Sequence, residues 1–297
     1  MSFQNLKKQS QSNIASLSRE LEKMNKGGES FKDDRFWNIE RDKSGNGFAV
    51  IRFLPACEGE EIPWARVFSH GFRGPGGDWF IENCPTTLGQ KCPVCEANSV
   101  LWNSGIESDK EIARARKRKL RYISNILVVS DPAHKENEGK IFLYNYGKKI
   151  FDKITESMTP QFAGEEPINP FDFWKGRNFK LKVRTIGDFP NYDASEFASP
   201  SALFEGDDAK LEKLWKQQYK LNEFVAPAEF KSYEELQTKF SQVIAGKQKP
   251  GINDSNPASK FAAKKEAPKP ADNTPPFEAD IEEDDNISYF KRLASEE

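Results

Sequence analysis

RARKRKLRYISNILVVSD (114–131) decides the fold class and much of the function. Its second half, NILVVSD (125–131), is a run of aliphatic and β-branched residues bounded by Asn and Asp, which is how a short buried strand reads. Five further runs of that kind flank it: FAVIRFLP (48–55), WARVFSHGF (64–72), WFIENC (79–84), KIFLYNYG (140–147) and NFKLKVRTIG (178–187). RGPGGDW (73–79) has the composition of a hairpin turn. Helical insertions are expected over 93–103 and 148–158. The pattern predicts a mainly β protein with α additions, an α+β fold.

Short strands with helical insertions suit a small β-barrel, of which the OB-fold is one kind, although their spacing fits other barrels or an open sheet equally. Beyond Gly187 the reading turns helical. Leu211, Leu214, Trp215 and Leu221 mark one segment, and Tyr233, Leu236, Phe240 and Ile244 a second. Ser232 and Glu235 form a capping box for the second, with Gly246 at its end. At the amino terminus Ile14, Leu17, Leu21 and Met24 fall at helical spacing ahead of Gly27-Gly28.

The chain has 297 residues, 37% hydrophobic and 30% charged, enough for one large domain or two smaller ones. No run approaches the roughly 20 apolar residues of a spanning helix, and MSFQNLKKQSQSN lacks the apolar core of a secretory signal. A soluble intracellular protein is expected, with no membrane partner. The formal net charge of −2 conceals a three-part layout. Residues 1–30 carry +2, residues 31–245 carry −1, and residues 246–277 carry +3 on a stretch with six prolines that reads as a flexible linker. Residues 278–297 carry −6, with six acids in the eight residues EADIEEDD (278–285). The core is therefore 31–245, between an amino-terminal arm and a tail.

Two constellations carry chemistry. The first is His70, Cys84, Cys92 and Cys95. Cys92-Pro93-Val94-Cys95 has the two-residue gap that turns both sulfurs toward one ion, and two upstream ligands complete a tetrahedral zinc site. A closed site of this kind is structural and leaves no open position for chemistry. Spacing leaves Cys57 as an alternative to His70, and C-P-x-C also occurs as a thiol redox pair, though without the βαβ context expected here. The second constellation is six bases in the eight residues 114–121, with Lys148, Lys149, Lys180, Lys182 and Arg184 elsewhere, interleaved with Tyr144, Tyr146, Phe189 and Tyr192. Single-stranded nucleic acid calls for this mixture, since bases follow phosphates and rings stack on unpaired bases. Motifs of nucleotide binding, metalloproteolysis and serine hydrolysis are missing, so no enzyme is expected. Asp207-Asp208 reads as a solvated helix surface, and His134 as a loop residue with no obvious partner.

Together with GNGFAVIRFLP (45–55), HGF (70–72), WFIENC (79–84), CPVC (92–95), KRK (117–119), NILVVSDPA (125–133), ENEGKIF (136–142), YGKKIFDKI (146–154), FPNYD (189–193) and FKSYEELQTKF (230–240), these features resemble the replicative single-stranded DNA-binding, or helix-destabilising, proteins of T-even-like tailed phages. The resemblance implies an OB-fold core with a zinc-stabilised subdomain, one structural zinc, a basic self-association arm over 1–30 and an acidic partner-binding tail. It favours His70, Cys84, Cys92 and Cys95 as the ligand set. It implies Trp79, Tyr122, Tyr144, Phe189 and Tyr192 as aromatic DNA contacts, Lys117, Arg118 and Lys119 on phosphates, and Lys7 and Lys8 in self-association. Ile123 stands where the family has a further aromatic. The function implied is cooperative, largely sequence-independent coating of single-stranded DNA, with destabilisation of duplex, in replication, recombination and repair in the cytoplasm of the infected host. The alternatives are a zinc-dependent replisome scaffold that binds proteins and a thiol oxidoreductase using Cys92 and Cys95.

Overall fold

A computed structural model describes residues 33–246, apart from 161, 163, 165 and 188. In chain order the strands are β1 (Phe36–Trp37), β2 (Gly47–Phe53), β3 (Ala65–Arg73), β4 (Trp79–Asn83), β5 (Lys119–Ser130), β6 (Ile141–Tyr146), β7 (Arg177–Ile186), β8 (Phe189–Asn191) and β9 (Glu196–Pro200). The described α-helices are α1 (Pro93–Asn103), α2 (Glu107–Ala115), α3 (Lys148–Met158), α4 (Asp208–Lys216) and α5 (Tyr233–Ala245). The arm with Lys7 and Lys8, the expected helix over 14–24, the linker and the acidic tail lie outside the described residues.

The described chain forms two compact units, one from 33–65 with 122–221 and one from 66–121 with 222–246. In the first, the strands pair in the order β1-β6-β5-β2-β7-β8, with β9 also on β7. Among the described residues this path does not return on itself. The architecture is thus a mixed α+β fold with a largely open sheet, one of the arrangements the strand spacing allows, and not the closed barrel that the resemblance implies.

Alternation sets the inner face. Ala49, Ile51 and Phe53 of β2 are fully buried, Ile51 opposite Phe179 and Val128, and Phe53 opposite Ile126. The Phe53 ring touches Tyr146, Phe171 and Phe179 at centroid distances of 5.5, 5.6 and 5.8 Å. Such pairs contribute about 0.5–1.5 kcal/mol each beyond area burial. A second cluster, Leu54, Leu127, Phe173 and Leu203, takes Leu211 and Leu214 of α4. Asp207, expected to be a solvated acid, is the N-cap of α4, its side chain accepting from the backbone N–H groups of Ala209 and Lys210.

Arg52 is the exception to the alternation. It is fully buried, and its Nη2 donates to the carbonyls of Asp172 (2.7 Å), Ser201 (3.0 Å) and Phe173 (3.4 Å). Burial takes the guanidinium down to about 10, opposed by Asp172, so it remains charged at neutral pH. A Cβ at Gly176 would sit 2.2 Å from the Asp172 carbonyl and 2.8 Å from Arg52 Nη2, so this close approach requires glycine. Arg52→Lys is expected to lower stability by about 1–2 kcal/mol, because an ammonium cannot reproduce the fork that reaches several carbonyls. Denaturant unfolding checks this, and an unchanged midpoint would contradict it.

The second unit is built on the β3–β4 hairpin, with Phe72 opposite Phe80 and Arg73 opposite Trp79. Its turn closes through Gly74 N–H to the Asp78 carbonyl, with Gly77 at φ +88°. The inner rings of Phe72 and Phe80 stack at 5.0 Å, and Leu236, Phe240 and Val243 of α5 pack on them. The capping box of α5 is present in full, Ser232 accepting from Glu235 N–H and Glu235 from Ser232 N–H. Glu82 on β4 pairs with Lys231 and Lys239 and fixes the ends of this packing.

Candidate metal centre and nucleic-acid interface

Three neighbouring elements of the second unit converge on one point. His70 comes from β3, Cys84 follows β4 and opens the 3-10 turn Pro85–Leu88, and Cys92 is the N-cap of α1. Pro93 at N1 starts the helix with a preset φ and no N–H to satisfy. Cys95 follows one turn later, on the same side of the helix as Cys92. The four ligand atoms all lie within 4.8 Å of one another. Cys92 Sγ and Cys95 Sγ are each 3.5 Å from His70 Nε2, and Cys84 Sγ is 3.6 Å from Cys95 Sγ.

These separations fit a single ion. Zinc bonds of about 2.3 Å to sulfur and 2.0–2.1 Å to nitrogen give tetrahedral edges of about 3.8 Å between sulfurs and about 3.5 Å from sulfur to nitrogen. His70 Nδ1 lies 3.1 Å from the Arg116 carbonyl. A carbonyl only accepts, so Nδ1 carries the proton and Nε2 presents its lone pair to the cluster, the usual arrangement of a metal-bound histidine. Burial opposes a charge on His70, but Cys84 and Cys92 outweigh it and take the imidazole up to about 9, a proton that a cation bound at Nε2 would displace. Cys84 is lowered by hydrogen bonds from Cys92 and Cys95, while Cys95 is raised by Cys84 and Cys92. Three sulfurs this close hold their negative charges together only around a cation, and the start of α1 adds its favourable dipole. Cys57 is not among the four. It is a buried thiol of the other unit, raised to about 11 by burial and by Glu60.

The basic run resolves into residues with different surroundings. It starts inside α2, a helix that the sequence does not mark, because ESDKEIARA offers only Ile112, Ala113 and Ala115 as apolar residues. Arg114 pairs with Glu107 at 2.8 Å and lies over Trp102. Arg116 lies over Phe72 and Phe240, and Arg118 lies 4.2 Å over Phe68 and donates to Thr86 Oγ1 at 2.8 Å. Arg121 donates to Asn83. Lys117 is half-buried and Lys119, the first residue of β5, is exposed. Of the more distant bases, Lys180 and Lys182 share Glu196, and Lys149 pairs with Asp193.

The five rings implied as DNA contacts differ in exposure. Trp79 and Phe189 are each 58% exposed. Tyr122 and Tyr144 are 6% and 5% exposed. Tyr122 stands opposite Tyr146 in the β5–β6 register and stacks on Phe151 of α3 at 3.9 Å, with the two ring planes 4° apart. Tyr144 meets Trp37 edge-on at 5.6 Å, and burial raises its phenol well above the ordinary value. Tyr192 is half-buried. His134 does have partners, since Nδ1 lies 2.9 Å from Glu136 and Nε2 pairs with Glu40, which together raise its pKa.

The fold and the cage define a class, an α+β protein with a Cys3His cluster compatible with a structural metal site and a basic segment beside it. The family described as gp32 DNA binding protein like matches residues 45–244. The chain is 43% identical over 274 residues to the single-stranded DNA-binding protein of Enterobacteria phage T2, a match covering 90% of this chain and 87% of the relative. It is 42% identical over 273 residues to that of Enterobacteria phage T4, with the same coverage. The chain belongs to this gp32-like family.

Proposed function

We propose that this protein binds single-stranded DNA without an enzymatic activity, covering it with little sequence preference and favouring unpaired over paired strands. Membership of the gp32-like family is the observation that carries the reading. One structural zinc held by His70, Cys84, Cys92 and Cys95 keeps the second unit folded. Lys117, Arg118 and Lys119 neutralise phosphates, and Trp79 and Phe189, which are exposed to solvent, stack on bases. Tyr192 contributes an edge, while Tyr122 and Tyr144 support the β5–β6 strands from within. An OB-type platform is the reading that best suits the β2, β5, β6 and β7 strands. The arm, with Lys7 and Lys8, links neighbouring copies along the strand for cooperative binding. The acidic tail serves replication, recombination and repair partners in the cytoplasm of an infected cell. Among the described residues no helix is long and apolar enough to cross a membrane.

Binding that rests on phosphate contacts releases counterions. Anisotropy titrations of a labelled oligo-dT from 50 to 300 mM salt are therefore expected to give a log affinity that falls linearly with log salt, by about 0.7 for each phosphate neutralised on a single strand. Lys119→Ala should weaken binding and flatten that slope by about 0.7. An absence of binding at every salt concentration would refute the reading.

A further inference from the structure

We propose that Thr86 is a positioning residue that carries a hydrogen-bond relay from the metal ligand Cys84 to Arg118, so that contacts made by Arg118 are felt at the ion. The phosphate-binding part of the inference rests on the single-strand reading above. Thr86 lies on the 3-10 turn Pro85–Leu88, two residues after Cys84. Its Oγ1 is 3.1 Å from Cys84 Sγ and 2.8 Å from Arg118 Nη1. A guanidinium only donates, so the hydroxyl accepts from Arg118. A metal-bound sulfur carries no proton, so the hydroxyl hydrogen is directed to Cys84. One side chain thus joins a thiolate ligand to a base that lies 32 residues after Thr86.

The surroundings leave this relay little slack. The guanidinium of Arg118 rests 4.2 Å over the Phe68 ring. Phe68 is itself fixed to the same turn, its backbone N–H donating to Thr87 Oγ1 at 2.9 Å and its carbonyl accepting from Cys84 N–H at 2.8 Å. Two residues earlier, the Arg116 carbonyl accepts from His70 Nδ1. Residues 116–118 are therefore held at two points, each leading to a ligand of the cage. Outer-shell hydrogen bonds of this kind tune both the ligand and the group that makes them.

Cobalt in place of zinc makes the relay visible, because its thiolate charge-transfer absorption reports on sulfur hydrogen bonding. In the full-length cobalt-loaded protein, Thr86→Val and Arg118→Gln are each expected to shift this absorption without DNA, and Thr86→Ser to leave it in place. Thr86→Val should weaken oligo-dT binding about tenfold, the loss of one charge-assisted hydrogen bond. It should have no further effect in the Arg118→Gln background, because a relay is non-additive. An Arg118→Gln spectrum identical to the parent overturns the relay, whatever happens to Thr86→Val. Independent, multiplying effects of the two substitutions on oligo-dT affinity overturn it as well. A parent protein that fails to bind oligo-dT refutes the single-strand reading instead, and the DNA-free spectra still decide the relay.

Discussion

Cys92→Ser is expected to abolish retention of the metal and to unfold the unit formed by residues 66–121 and 222–246. The apolar core of that unit is small, centred on Phe72, Phe80, Val94, Leu236 and Phe240, and two cage ligands, Cys84 and Cys92, are themselves buried within it. Apparent metal-binding free energies of about 10–16 kcal/mol in small zinc modules compare with a total stability of about 5–15 kcal/mol for a typical domain. Removal of one ligand therefore outweighs what the remaining packing supplies. The checks are metal content after gel filtration and near-ultraviolet circular dichroism. Cys57→Ser is the control and should retain one ion per chain. A Cys92→Ser protein that keeps its ion and its tertiary signal would contradict the assignment.

The rings provide the second large effect, and their burial separates two outcomes. Trp79→Ala and Phe189→Ala are each expected to weaken oligo-dT binding by about 1–3 kcal/mol per stacked base, roughly 5- to 150-fold. Both side chains are exposed, so stability should stay within about 0.5 kcal/mol of the parent. Tyr122→Ala should behave in the opposite manner. It removes a ring stacked flat on Phe151 and paired with Tyr146, and a buried aromatic truncation costs about 3–5 kcal/mol. Thermal unfolding and oligo-dT titration on the same three proteins test the division. A Tyr122→Ala protein with an unchanged melting point and weakened binding would transfer the stacking role to Tyr122.

Much of this architecture is legible in the sequence because its signals are local. The strands β2, β3, β4, β6 and β7 follow runs of β-branched and aromatic residues, and α1, α3 and α5 follow a proline start, an amphipathic repeat and a capping box. The CPVC pair announces two ligands by spacing alone. What stayed hidden depends on contacts distant in sequence. Arg52 alternates with inward residues along β2 and would face solvent, yet the carbonyls of Asp172, Phe173 and Ser201 cover it. Spacing alone does not separate Cys57 from His70; the resemblance favours His70, and His70 is the residue that lies with the three cysteines. The short strands β1, β8 and β9 gain their hydrogen bonds only from partners already in place, so no run of residues marks them. The difference between Trp79 and Tyr122 is likewise one of neighbours. Both are aromatic residues beside basic or polar ones, but only Tyr122 has Phe151 laid across it.

The most direct test of the central claim is a tryptophan-fluorescence titration of the metal-loaded full chain with oligo-dT and with a duplex of equal length, at low and at high salt. Trp79 is exposed and assigned to base stacking, so the single strand is expected to quench the emission at low salt, with the quenching reversed by high salt. The duplex at the same concentration should leave it largely unchanged. Equal quenching by both, or none by either, would contradict the account.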